Sequence, residues 1–323
     1  MPQAPTFSVI IPTYNRGHKI GRTLESLNAQ IFLDFEVLLC DDGSTDNTEK
    51  VVEQFRQHMK FRSLHYFFNE NWGGPARPRN NGLGHAAAEW ICYLDSDDTW
   101  HPEKLQEILP HLTDSDLIYH DFDLVGINGL KTRHRARTLK QPVFEDLMVN
   151  GHNGCIINSG VAIRRDLAQQ LGGCRESRLY IGVEDADLWL RASRLTDRFT
   201  HIRKPLGTYY TDEGNLTAYN ERMVTQLEAL FAEHAVALPQ PRQAVLARRS
   251  HHYHIARIRR MMGQDRQALG LLRTSIYSST PEIVLRSAYW MIAVSLKMFI
   301  PFKRRAAPVQ ATDVSAKSLP HRQ

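Results

Sequence analysis

WICYLDSDDT, Trp90 to Thr99, decides how this chain folds. Trp90–Leu94 is an unbroken apolar run, too short for a helix and apt for a strand buried on both faces. Three carboxylates, Asp95, Asp97 and Asp98, follow it at once. The same arrangement recurs upstream. FSVII (Phe7–Ile11) stops at Pro12, FEVLLC (Phe35–Cys40) stops at Asp41, and Ser63–Phe68 reads as a third strand. Between these runs the apolar spacing becomes helical. Lys19–Gln30 places Ile20, Leu24 and Leu27 on one face, Thr45 or Asp46 caps a helix through His58, and Pro75–Ala88 is a third helix. Strands alternating with helices predict a parallel sheet covered on both sides. Ligands of such sheets bind beyond the carboxyl ends of the strands. Pro12–Asn15, Asp41–Ser44 and Asp95–Asp98 therefore share one edge.

Downstream the pattern is less regular. Asp116–Asp121 and Cys155–Ile163 read as strands, the basic stretch Lys131–Lys140 as a loop, and Val183–Leu195 as a helix that opens on acids. From Tyr219 onward everything reads as helix. The predicted divisions are an α/β domain over 1–218, a helical region over 219–305 and a disordered tail over 306–323.

The charge is divided in the same way. The 323 residues hold 40 Lys+Arg and 35 Asp+Glu, net +5. Residues 1–239 carry 25 basic and 32 acidic side chains, and residues 240–323 carry 15 and 3. A body of net −7 joined to a tail of net +12 suggests two jobs. With 42% hydrophobic and 23% charged residues, disordered, collagen-like and multi-span membrane classes are excluded. Cys40, Cys92, Cys155 and Cys174 show no paired spacing, and the first residues lack a basic n-region followed by an apolar stretch. The expectation is a cytoplasmic protein with free thiols.

Five segments carry candidate chemistry, and each alone has a plainer reading. SVIIPTYNR (Ser8–Arg16) presents Tyr14 for stacking on a planar base, or is simply a turn at a strand end. CDDGSTDNT (Cys40–Thr48) offers Asp41 and Asp42 to imide or ribose hydrogens, or uses them as turn residues. DSDD needs a cation to offset its mutual repulsion, and hard oxygen ligands suit Mg²⁺ or Mn²⁺ on a diphosphate. Its plainer reading is a solvated acidic turn. NWGGPARPRNNG (Asn71–Gly82) brings Arg77 and Arg79 toward those acids, as phosphate ligands or as salt-bridge partners. VEDADLWLR (Val183–Arg191) puts Glu184 and Asp185 at a helix start, where the dipole alone favours acids.

Their order lifts them above these separate readings. SVIIPTYNR, DDGSTDNT, RNNGLGHAAAEWICYLDSDD and EDADLWLR, in that sequence over Phe7–Thr217, resemble the family 2 glycosyltransferases. The resemblance implies a GT-A fold, an α/β/α sandwich with a mostly parallel sheet, here followed by C-terminal helices. It implies inverting transfer of a sugar from a nucleotide-diphosphate donor, a UDP-sugar first, to a hydroxyl of a glycan or lipid-linked acceptor in bacterial surface polysaccharide or lipopolysaccharide synthesis. Pro12, Tyr14 and Asp42, with Asp41, match the positions that hold the nucleoside. Arg79 matches an arginine near the donor. Asp95 and Asp97 match the D-x-D pair that handles ribose and a Mg²⁺ or Mn²⁺ diphosphate, with Asp98 able to replace either as a metal ligand. Asp185 matches the base, with Glu184 beside it. The chain departs from relatives after this helix: Tyr210 and Asp212 stand where an arginine and a histidine are usual, and Asp212 offers another oxygen ligand.

Two rival classes remain. YLDSDDT also fits the first motif of haloacid-dehalogenase phosphatases, with Asp95 as nucleophile and Asp97 as acid/base, but their later lysine and acids are not evident. The basic tail suggests a binding module. Without a nucleic-acid motif, an anionic membrane surface fits better than nucleic acid, with Tyr289 and Trp290 at the interface and Arg286 and Lys297 on one helix face. That places the protein peripherally on the inner face of the cytoplasmic membrane. Lys131–Lys140 is a second basic patch, suited to an acidic or phosphorylated acceptor or merely to water.

Overall fold

The computed structural model describes residues 3–126, 128–151, 155–211 and 219–299. The chain first alternates strand and helix: β1 (Phe7–Thr13), α1 (Ile20–Asn28), β2 (Phe35–Asp41), α2 (Thr48–Arg56), β3 (Ser63–Phe68), α3 (Ala76–His85) and β4 (Trp90–Tyr93). Then come β5 (Thr99–Trp100), α4 (Lys104–Ile108), β6 (Leu117–Val125), β7 (Lys131–His134), α5 (Val143–Asn150), β8 (Ala162–Arg164), α6 (Arg165–Gln170), α7 (Glu184–Ala192) and β9 (Phe199–Tyr210). Four helices finish the described chain: α8 (Glu221–Ala235), α9 (Pro241–Met261), α10 (Asp265–Ser275) and α11 (Pro281–Phe299).

The nine strands form one mixed sheet in the order β3-β2-β1-β4-β8-β6-β9-β5, with β7 on β6. β3, β2, β1 and β4 are parallel, as are β6 and β9. β8 runs antiparallel between β4 and β6, β5 antiparallel to β9, and β7 antiparallel to β6. The sheet is mostly parallel, as expected, and its antiparallel members β5, β7 and β8 follow β4 in the chain. The parallel pairs are joined by long helical crossovers, whereas β6 and β7 need only a short turn.

Every residue of β1 and β2 is buried, and their alternation sorts the core into two layers. Phe7, Val9 and Ile11 join Ile20, Leu24 and Leu27 of α1 and Val52 and Phe55 of α2. Ile10 faces the other way, into a layer with Leu83 of α3, Leu188 and Trp189 of α7, and Leu227, Leu230 and Phe231 of α8. Ala247, Ile255 and Ile258 of α9 belong to the same layer. Of the C-terminal helices, α8 reaches the helix that carries Glu184 and Asp185 through the His234–Asp187 hydrogen bond, and α9 packs on α8 and α5.

Several local expectations shift. Lys131–His134, expected in a loop, is β7, and Arg133 pairs with Asp123 at 3.1 Å. The expected strand Cys155–Ile163 holds a short helical turn at Asn158–Gly160 before β8 begins. The helix expected to be capped by Thr45 or Asp46 begins at Thr48, although the Asp46 carboxylate accepts from the Thr48 N–H at 3.0 Å. All four cysteines are free and buried, and burial pushes Cys92 up to about 11 and Cys40 and Cys174 up to about 12. Among the described residues no helix is long and apolar enough to cross a membrane. Asp212 and the tail over 306–323 lie outside the described residues.

Candidate active site

Strand register gathers the expected segments. Thr13 pairs with Asp41 across β1 and β2, and the Leu94 N–H donates to the Ile10 carbonyl at 3.1 Å where β4 ends. The turn after β1 is then locked onto the loop after β2. Asn15, at φ 50°, donates its N–H to Ser44 Oγ at 2.7 Å and accepts from the Thr45 N–H at 2.8 Å. Gly43, at φ 83°, passes so close to Asn71 that a Cβ would lie 2.9 Å from its backbone nitrogen. Only glycine fits there without displacement.

Asp41 and Asp42 face inward. Asp41 is fully buried and accepts from the Tyr66 hydroxyl at 2.6 Å and the Ser44 N–H at 2.7 Å. Asp42 accepts from the N–H groups of Trp72, Gly73 and Gly74 at 2.9, 2.9 and 3.3 Å. Both carboxylates thereby tie the loop after β2 to β3 and to the Trp72–Gly74 turn. Pro12 is buried beside them, and Tyr14 is 47% exposed at the rim.

The DSDD segment is a turn, closed by the Asp98 N–H donating to the Asp95 carbonyl at 3.1 Å. The turn sends Asp98 into the interior, while Asp95 and Asp97 stay nearer the surface. Thr23 of α1 holds the turn by donating to the Ser96 and Asp98 carbonyls, and Arg22 donates to the Asp97 carbonyl at 2.8 Å. The Arg22 guanidinium lies 3.5 Å from the centre of the Tyr210 ring. Asp97 pairs with Arg16 at 3.8 Å. Asp98 is fully buried, bonded to Ser159 Oγ at 2.5 Å and to the Tyr210 N–H at 3.3 Å. Burial, then the charges of Asp95 and Asp97, push its carboxyl well above the usual range. Asp98 thus braces the turn from inside, which removes it from the ligand set expected for a metal.

Asp95 remains reachable, its side chain 30% exposed. Arg79 donates to its Oδ1 at 2.8 Å, and Asn158 donates to the same oxygen at 3.0 Å. The other Arg79 nitrogen donates to Glu184 Oε1 at 2.5 Å, and Glu184 Oε2 accepts from the Gly182 N–H at 2.5 Å. Arg79 is itself buried. Burial opposes its charge, but Asp95 and Glu184 outweigh that and hold its pKa well above normal. Arg79 bridges the carboxylate after β4 to the first turn of α7.

Asp185 is the second residue of α7, and its carboxylate accepts from the Ala186 N–H at 2.7 Å. Burial, then the adjacent Glu184 charge, raise it to about 7, while Arg79 and that N–H act the other way. Two residues on, Asp187 is buried and accepts from His234 of α8 at 2.9 Å and from Arg191 at 2.8 Å. The α7 helix is thus tied to α8 through Asp187 and His234.

The sequence reading missed Arg16, Arg22, Asn158 and Ser159. The Asn158-Ser159 pair inside the otherwise apolar CIINSGVAI was the available signal. Asp95 and Asp97 are the carboxylates that the resemblance offers to a divalent cation. Among the described residues no group of three or more His, Cys, Asp or Glu side chains is arranged to hold a metal. One or two carboxylates fit an ion whose remaining ligands are phosphate and water.

Comparison with known proteins bears on the family and the fold. The model of the family described as Glycosyl transferase family 2 matches residues 8–172. Amylovoran biosynthesis glycosyltransferase AmsB of Erwinia amylovora is 28% identical over 218 residues, 64% of this chain and 69% of the relative. The Escherichia coli protein WfgD, a UDP-Glc:alpha-D-GlcNAc-diphosphoundecaprenol beta-1,3-glucosyltransferase, is 30% identical over 186 residues, 57% of this chain and 68% of the relative. Among solved structures, Staphylococcus aureus TarS 1–349 in complex with UDP-GlcNAc aligns with a TM-score of 0.60 at 22% identity, covering 90% of this chain and 89% of that one.

Proposed function

The chain belongs to glycosyl transferase family 2 and is a glycosyltransferase, and from that premise we propose that it inverts the anomeric carbon with Asp185 as base. The observation that carries this is the Arg79 bridge, because it sets the base-bearing turn of α7 beside the reachable carboxylate Asp95. A carboxyl raised to about 7 is half ionised near neutral pH and is a better proton acceptor than an ordinary aspartate. Asp185 takes the proton of the acceptor hydroxyl as that oxygen attacks the sugar from the face opposite the leaving diphosphate. Glu184 stays paired with Arg79 and gives Asp185 its negative neighbour.

The donor is a nucleotide sugar, a UDP-sugar first, in keeping with the names of WfgD and the TarS complex. Tyr14 is the exposed ring available to the base, near Pro12, Asp41 and Asp42. Asp95 and Asp97 would hold Mg²⁺ or Mn²⁺, which when bound offsets the charge developing on the diphosphate. Arg16 and Arg22 add positive charge at the same rim. The acceptor is a hydroxyl of a glycan or lipid-linked glycan of the bacterial surface, and the basic C-terminal helices support a peripheral position on an anionic membrane. Asp212 stays open as a further ligand.

A panel of nucleotide sugars tests the reading. Bound donor raises the melting temperature by mass action, and the matching donor releases its nucleoside diphosphate only with acceptor and divalent cation present. Release of free phosphate from phosphoesters, with no donor stabilising the protein, would return the phosphatase reading.

A further inference from the structure

The outward face of α11 is apolar. Leu285, Tyr289, Ile292 and Leu296 are each more than half exposed. Their spacing of four, three and four residues puts them on one stripe, about 16 Å long at 1.5 Å per residue. The opposite face is packed. Ile283, Ser287 and Val294 are buried, Ser287 shares a hydroxyl bond of 2.8 Å with Ser275 of α10, and Ile283 joins Tyr253, Ala256 and Leu272 in a small core. Trp290, the aromatic the sequence suggested for an interface, lies instead under the Arg260 guanidinium, 3.2 Å from its ring centre.

We infer that this stripe is the element that seats the enzyme on an anionic lipid surface, which rests on the peripheral position proposed above. The occupant follows from charge. Residues 240–296 carry nine arginines against Asp265 and Glu282; Arg248, Arg259 and Arg286 pair with Glu228, Glu221 and Glu282, and the positive excess that is left attracts acidic headgroups and opposes a second copy of this region. A helix with one apolar face in a region of net positive charge lies in the plane of the leaflet, its leucines at acyl depth and its tyrosine at the headgroups. After the stripe the sequence continues Ile300-Pro301-Phe302-Lys303-Arg304-Arg305, again apolar and then basic. The arginines of α9 supply attraction at a distance, and the stripe supplies the contact.

Flotation of the full chain with phosphatidylcholine vesicles, with and without phosphatidylglycerol, tests this. The wild type should float with the anionic vesicles, and Leu285→Glu/Ile292→Glu should fall at least about tenfold in bound fraction, a drop of 1.4 kcal/mol or more. Its melting temperature and nucleotide binding should not change, and Tyr289→Ser should give a smaller loss with still less risk to the fold. If the double variant floats as well as wild type, the stripe is not the contact, although the peripheral position stands. Failure of the wild type to float overturns both. If the wild type elutes as a dimer and the double variant as a monomer, the stripe is a self-association surface and the inference falls.

Discussion

Replacing Arg79 with methionine removes the bridge while keeping much of its apolar stem. Two buried or half-buried carboxylates then lose their cation. Breaking a buried ion pair by deleting one partner costs roughly 3–5 kcal/mol. Glu184 is 4% exposed in its side chain and cannot recover water, whereas Asp95 is 30% exposed and can, so the low end, about 3 kcal/mol, applies. At the roughly 2–4 °C per kcal/mol typical of larger domains, the melting temperature should drop by about 6–12 °C. Thermal unfolding followed by circular dichroism at neutral pH reads this directly. The Arg79→Met/Glu184→Gln double variant should recover a good part of the loss, because the stranded charge is gone. Activity should stay low in both, since neither sets α7 against the turn after β4. A melting temperature within about 2 °C of wild type for Arg79→Met would refute the bridge as a structural tie.

Other parts of the site give separate expectations. The transfer rate under saturating donor should rise with pH through about 7 and then level off, since Asp185 is raised to about 7 and only its ionised form accepts a proton; a flat profile between pH 6 and 8 would contradict this. Asp42→Ala leaves three N–H groups of the Trp72–Gly74 turn without their acceptor, so it should destabilise the protein by about 2 kcal/mol and weaken donor binding, measured by melting and by calorimetric titration. Burial holds His254 at about 3 in the folded protein, against about 6.5 unfolded. The unfolded state binds the proton first, so stability present above pH 6.5 is lost as pH falls toward 3, by about 2 kcal/mol at pH 5. His254→Met should flatten that acid side of the melting profile.

The strand ends were legible because each is an apolar run cut off by a polar turn, and register then brings those turns together without further help. β9 was not legible. FTHIRKPLGTYY mixes cations with Pro205 and Gly207, and its identity as a strand depends on its partner β6. KTRH of β7 contains no aliphatic residue and is held by backbone pairing with β6 and by the Arg133–Asp123 pair. Within the site, sequence supplied the acids but not their directions. Asp98 is one residue from Asp97, yet the turn sends it to Ser159 in the interior. Arg79 was visible as a cation near acids, but its choice of Asp95 and Glu184, separated by 89 positions, is a property of the folded chain. The basic tail likewise read as one region, whereas Ala247, Ile255 and Ile258 of α9 belong to the main core and α11 turns an apolar face outward.

Sugar transfer by Asp185→Asn, measured beside its donor affinity, bears most directly on the assignment of this site. The asparagine keeps the shape of the side chain and removes only the base. Turnover should fall by about 10²–10⁴, the usual contribution of a positioned base, while the dissociation constant for the nucleotide sugar stays within a few-fold of wild type. Turnover close to wild type, or a loss of activity matched by a loss of donor binding, would contradict Asp185 as the group that activates the acceptor.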